Sequence, residues 1–317
     1  MKNYIALAAV ICGLSGTSYS QNATLLNVKY TYSASPKLTV KTMAPDNDKS
    51  GKPILAGYQK HALTFAGGNG AKVPSVLYTP GNTPDGKRHA AVVLVHGIGG
   101  DKSQLAPLAL MLSQKGYVVL CIDAAGHGDR PKVGNATTNL LGIASFRTIV
   151  AQTVQDLHSA IDVLIARKDV DKKRIGAGGV SFGGIVISRF LADEPRVAAG
   201  VVIAAGGNLG QLLMASQIEG AKKFRTTNKL SVAAIQQELN IIDPAKHIGR
   251  AKARPMLFLH GDKDDIVPVA CNTALFNATK QPKERELMPG GHVPSPFELL
   301  TKTMVFCDKT LQGSVAK

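Results

Sequence analysis

Tryptophan is absent, and Phe, Tyr and Trp together make up only 5% of the chain. An extended groove of aromatic platforms, the kind that stacks sugar rings or unpaired bases, is therefore not expected. Histidine and cysteine never occur at metal-ligand spacing, and no His-Glu-x-x-His is present. No metal and no cofactor is expected on that ground. Acidic residues are outnumbered, 22 against 37 Lys and Arg, for a formal charge of +15. Such a balance suits an anionic partner when it is focused. Here it is dispersed, with only short groups such as Lys172-Lys173-Arg174 and Lys222-Lys223 and no interleaved aromatics, so no nucleic-acid partner is expected. Long apolar runs are missing too: nothing approaches the roughly 20 residues a membrane-spanning helix needs.

The first twenty residues stand apart. Lys2, the apolar run Ile5 to Leu14 and the small residues of Ser18-Tyr19-Ser20 have the layout of a secretory signal cleaved before Gln21. The expectation is an exported protein, periplasmic or secreted. Cleavage removes Cys12 and leaves Cys121, Cys271 and Cys307, an odd number where disulfides can form. Cys121 lies in the apolar run Tyr117 to Ile122 and reads as a core thiol. A bridge between Cys271 and Cys307 stays open, because spacing along the chain says nothing about Cα separation. Oligomeric state is not specified.

Residues 21 to 58 are rich in Ser, Thr, Lys and Asn without a sustained period and read as an irregular leader. His61 to Ala66 and Val73 to Tyr78 are strand-like runs around Gly67-Gly68-Asn69-Gly70, which supplies turn residues for an antiparallel hairpin. No Gly-Lys-Ser/Thr follows those glycines, so they are no phosphate loop. Beyond them, buried-type strands alternate with amphipathic helices. Strands are expected at Ala90 to Val95, Tyr117 to Ile122, Arg174 to Val180, Val197 to Ala204, Pro255 to His260 and Glu284 to Met288. Helices are expected at Ser103 to Lys115, Ser145 to Arg167, after Ser181, at Val269 to Ala278 and at Pro296 to Leu311. This is the pattern of an α/β fold with a mostly parallel sheet covered on both faces. The stretch at about 206–252, with helical patches at Leu209 to Lys223 and Ser231 to Leu239, is too long for a plain connection. It reads as a small helical cap over the carboxyl edge of the sheet, inside a domain running over residues 59–317.

Gly179-Val180-Ser181-Phe182-Gly183 joins a strand to a helix. A Gly-x-Ser-x-Gly in that setting holds the serine on a strained, exposed turn, with glycines where side chains would collide. A serine hydroxyl needs a base and a group to orient that base. Pro289-Gly290-Gly291-His292 places an imidazole after the last strand, and His260-Gly261-Asp262-Lys263-Asp264-Asp265 offers three carboxylates after the strand before it. The oxyanion of acyl transfer needs donors; His96-Gly97-Ile98-Gly99-Gly100 supplies a loop for them, with the Ile98 and Phe182 backbone N–H groups as the pair. Asp101 and Gln104 read as a capping box. Gly126-His127-Gly128-Asp129 reads as a pocket-lining loop, while His61, His89, His158 and His247 read as surface or packing residues.

The elbow, the His-Gly-x-Gly-Gly loop, the acid turn and the Gly-Gly-His loop together resemble the α/β-hydrolase superfamily over about residues 59–312. Arg174-Ile175-Gly176 and Leu77-Tyr78-Thr79-Pro80 resemble the branch of dienelactone-hydrolase-like proteins, acetyl xylan esterases and the prolyl oligopeptidase catalytic domain. The resemblance implies Asp264 as the acid, Asp262 bracing the turn and Asp265 beginning the next helical region. It implies a serine carboxylesterase acting on a small-molecule ester through Ser181, His292 and Asp264. A serine stands where the dienelactone hydrolases carry cysteine. Two rivals stay open: an exported peptidase or acyltransferase on the same triad, and a binding module that keeps the fold without catalysis.

Overall fold

The computed structural model describes residues 36–43, 56–81, 86, 88–132 and 142–312. The leader and its cleavage site, expected at residues 1–20, lie outside them. Among the described residues, no helix is long and apolar enough to cross a membrane.

Among the described residues nine strands form one sheet: β1 Leu38–Met43, β2 Tyr58–Ala66, β3 Lys72–Pro80, β4 His89–Val95, β5 Val118–Ile122, β6 Val170–Val180, β7 Ala199–Ile203, β8 Met256–Gly261 and β9 Lys283–Met288. Their order is β1-β2-β3-β5-β4-β6-β7-β8-β9. The pairs from β1 to β3, and β3 with β5, are antiparallel; all pairs from β5 through β4 to β9 are parallel. β4 shows why the parallel part is buried. Ala91, Val93 and Val95 enter one hydrophobic cluster, while Ala90, Val92 and Leu94 enter the other. Alternate residues thus feed two cores, and a strand apolar at every position needs helices on both faces.

Those helices are α1 Ala106–Gln114, α2 Ile143–Ala166, α3 Phe182–Leu191, α8 Val269–Ala278 and α9 Pro296–Cys307. α2 and α3 cover one face; α1 and α9 cover the other. Four short helices lie between β7 and β8: α4 Leu209–Ala215, α5 Glu219–Thr227, α6 Val232–Leu239 and α7 Pro244–His247. The expected patch over Leu209 to Lys223 is thus two helices, broken at Ser216, whose backbone turns extended. Buried Asp243 ties the insertion's two ends together, accepting from the Asn208, Leu209 and Ala245 amides.

Two expectations about the fold need correction, and one open question is answered. β1 falls inside the segment read as irregular: all six of its residues are exposed, so no buried face marked it, and pairing with β2 alone makes it a strand. Asp101 and Gln104 form no capping box. α1 begins only at Ala106, Asp101 Oδ1 accepts from the Ser103 amide (2.7 Å), and Gln104 turns back to the loop before it. The open Cys271–Cys307 bridge is not made: Cys121, Cys271 and Cys307 are all buried free thiols. Burial pushes the Cys121 and Cys307 thiols up to about 12, which suppresses the reactive thiolate.

Candidate active site

The chain leaves β4 for β5 on one side and reaches β6 on the other. The loops after β4 and β6 therefore diverge and open a crevice at the carboxyl edge, where open α/β sheets hold ligands. The elbow sits there. Ser181 has φ 55° and ψ −118°, a conformation costly for a residue with a Cβ. Two hydrogen bonds hold it: its N–H donates to the Ile203 carbonyl (2.8 Å), and its carbonyl accepts from the Ile185 N–H (3.1 Å). A Cβ on Gly183 would run into the carbonyls of Val95 and His96, so only glycine lets α3 start hard against the end of β4.

The acid and the imidazole come from the ends of β8 and β9. A Cβ on Gly261 would strike the Gly291 carbonyl, so that glycine lets the two loops touch. Asp262, expected to brace the acid turn, reaches across to the histidine loop: its Oδ1 accepts from the Gly290 N–H (2.9 Å), and its own N–H donates to the Met288 carbonyl (2.8 Å). Asp265 begins no helix. It lies in a bend ahead of α8, and its carbonyl accepts from the Gln217 N–H (2.8 Å) of the cap.

Asp264 is the carboxylate that meets the histidine. His292 Nδ1 donates to Asp264 Oδ2 (2.8 Å), which fixes the tautomer and leaves Nε2 to accept from the Ser181 hydroxyl (2.8 Å). The other oxygen, Oδ1, accepts from the Ile266 and Val267 amides (2.9 and 2.8 Å). Asp264 and Ser181 are buried, and the His292 side chain is 21% exposed. Three side chains scattered over the sequence thus form one continuous line of hydrogen bonds. Among the described residues, no hydrogen bond engages the Ile98 or Phe182 amide, and both residues border the space beside Ser181. Those N–H groups are free to meet an oxyanion.

Comparison with known proteins adds the fold. The family model described as serine aminopeptidase, S33, matches residues 86–224. YitV of Bacillus subtilis, an inferred esterase, is 28% identical over 199 residues, covering 61% of this chain and 76% of its own. The acetyl xylan esterase of Paenibacillus sp. R4 superposes with a TM-score of 0.72 at 20% identity, covering 92% of this chain and 93% of that one. Acetyl xylan esterase 1 of Thermoanaerobacterium sp. superposes at 0.71 and 18% identity, covering 92% of each. The chain has the α/β-hydrolase fold.

Two residues of the site acquire roles that the sequence did not disclose. Gln104 Oε1 accepts from the Gly97 N–H (2.6 Å), which pins the loop presenting the Ile98 amide. The residue was visible as a Gln after a Gly-rich loop, but its direction was not. His260, completely buried, donates from Nε2 to the Val267 carbonyl (2.9 Å) and lies 3.4 Å from Asp264 Oδ2. Burial lowers its pKa below the usual histidine range, so it is a neutral strut behind the acid turn. His127 is not a pocket residue. Its ring stacks on Phe182 at 5.3 Å and its Nδ1 donates to the Ala125 carbonyl (2.9 Å), so it backs the elbow from below.

Beside Ser181 lies a pocket of about 90 Å³. The body supplies one wall with Ile98, Phe146, Phe182, Ile185 and Val267; the cap supplies the other with Leu209, Leu212, Leu213, Ile218 and Leu239. The cap's share of the lining is divided among three short helices and the links between them. Gln217 and Arg147 moor it to the body, the latter by an ion pair with Glu238 on α6.

Proposed function

We propose that the protein hydrolyses carboxylic esters through an acyl-enzyme on Ser181. The observation that carries this is the unbroken Ser181–His292–Asp264 line of hydrogen bonds, placed at the sheet's switch point beside two unengaged amides. In this reading His292 Nε2 takes the Ser181 proton as Oγ attacks the ester carbonyl. The Ile98 and Phe182 amides receive the oxyanion, and Asp264 orients and compensates the imidazolium. The imidazolium returns its proton to the leaving alcohol, and water then releases the acid by the same steps. The esterase names of the Bacillus relative and of the structural neighbours support ester hydrolysis in general terms.

The family description favours a second reading, peptide hydrolysis on the same triad. Rates on matched ester and amide substrates separate the two. Ser181→Ala, assayed on a short-chain nitrophenyl ester and with a fluorophosphonate probe, tests the shared mechanism: loss of both turnover and labelling is expected, and retained hydrolysis would refute it. Export, resting on the Lys2 and Ile5 to Leu14 leader, belongs to the proposal. Finding Gln21 as the first residue of protein from the periplasm or medium tests it.

A further inference from the structure

We infer that this enzyme selects its substrate by the acyl group, taking uncharged aliphatic acyl chains longer than acetyl, while the alcohol faces solvent. The inference rests on the ester-hydrolysis reading and deepens it.

The argument starts from the directions available at the reacting carbon. Once Ser181 Oγ has attacked, that carbon carries three further groups: the oxyanion, the leaving oxygen and the acyl chain. The oxyanion is drawn to the Ile98 and Phe182 amides. The leaving oxygen must lie near His292 Nε2, because that nitrogen delivers its proton. Ser181 borders the apolar pocket and His292 does not. The imidazole instead sits on the open side, 21% exposed, with Val293 beside it 50% exposed. The pocket is therefore left for the acyl chain, and the alcohol leaves toward water.

The lining then sets the chemistry. Among the described residues, Ser181 and Ser216 are its only polar side chains, and no charged side chain borders it. The Ser216 hydroxyl already accepts from the Ile218 amide (3.3 Å). An α-ammonium or a terminal carboxylate would be desolvated there without a partner, which is costly. Each methylene beyond acetyl that enters the pocket is removed from water against its apolar lining. That is worth about four-fold per methylene while the chain stays inside the pocket. Acyl selection so defined departs from the acetyl group named for both structural neighbours and from the free amino terminus that an aminopeptidase reads.

The test uses nitrophenyl esters of acetate, butyrate, hexanoate and octanoate, with kcat/KM measured on the exported chain. A rise of ten-fold or more from acetate to the best longer ester is expected; a flat or falling series overturns the inference. Leucine and 4-methylpentanoate nitrophenyl esters differ only in the α-ammonium. The leucine ester is expected to be at least ten-fold poorer, and equal or better turnover overturns it. Leu213→Phe, which fills the cap side of the pocket, should lower the octanoate-to-acetate ratio, and an unchanged ratio overturns it. A butyrate series with alcohols of graded bulk should be nearly level; chain-length selection appearing there instead would put the alcohol in the pocket. Fluorophosphonate labelling separates the two levels. Absence of labelling at Ser181 sinks the ester-hydrolysis reading, whereas labelling with a flat acyl series sinks only this inference.

Discussion

Among the described residues, two histidine–carboxylate pairs share nearly the same geometry. His292 Nδ1 lies 2.8 Å from Asp264 Oδ2, and His158 Nδ1 lies 2.9 Å from Glu194 Oε2. What differs is the company. His292 extends the line to a strained serine at the rim of the sheet. His158 packs edge-on against Phe190 at 4.9 Å, and its carboxylate also holds Arg196 (2.7 Å), whose guanidinium reaches Asp162 (2.6 Å). A histidine beside a carboxylate is therefore no signature of chemistry by itself. The third group decides: a nucleophile in one place, a permanent cation in the other.

That contrast can be broken in order of expected effect. Ser181→Ala should lower kcat/KM on a nitrophenyl ester by at least about 10⁴-fold with its thermal midpoint retained. Asp264→Asn should cost about 10³- to 10⁴-fold by spoiling the histidine tautomer, a loss concentrated in kcat. Glu194→Gln should reverse the pattern, with turnover on the same ester retained but urea-unfolding stability reduced by about 2 kcal/mol, because Arg196 keeps Asp162 but loses its charge-assisted bonds to Glu194. The opposite outcome at either carboxylate would erase the distinction between the pairs.

The pH dependence sharpens it further. Burial alone would raise the Glu194 carboxyl, but Arg196 and His158 outweigh it and hold the group at about 2. A carboxyl lowered on folding adds stability above the ordinary glutamate range and loses it as pH falls toward about 2. Urea midpoints should therefore drop between about pH 4.5 and pH 2, less steeply in Glu194→Gln. The smallest expected effect is at Gln104. Gln104→Ala frees the Gly97 amide and loosens the loop that carries Ile98, which should lower kcat about ten-fold with little change in KM.

Much of the candidate site was legible before any coordinates. Ser181 stood in a Gly-x-Ser-x-Gly between a strand and a helix, and His292 stood in the loop after the last strand, since backbone geometry at such turns admits few residue types. Asp264 was not separable from Asp262 and Asp265 without the resemblance. Only the fold of the turn shows Asp262 engaged with the Gly290 amide and Asp264 aimed at the imidazole. β1 was missed because an exposed edge strand has no buried face to impose a pattern.

The sequence by itself determined the alternation of strands and helices and the chemical identity of the site, because periodic burial and glycine-dependent turns are local demands written residue by residue. Tertiary structure alone decided which carboxylate faces His292, that Gln104 grips the loop after β4, that the cysteines stay apart, and that three cap helices and the body close an uncharged pocket. Those outcomes depend on side chains from distant segments meeting across loops, and no local pattern encodes the direction in which a side chain finally points.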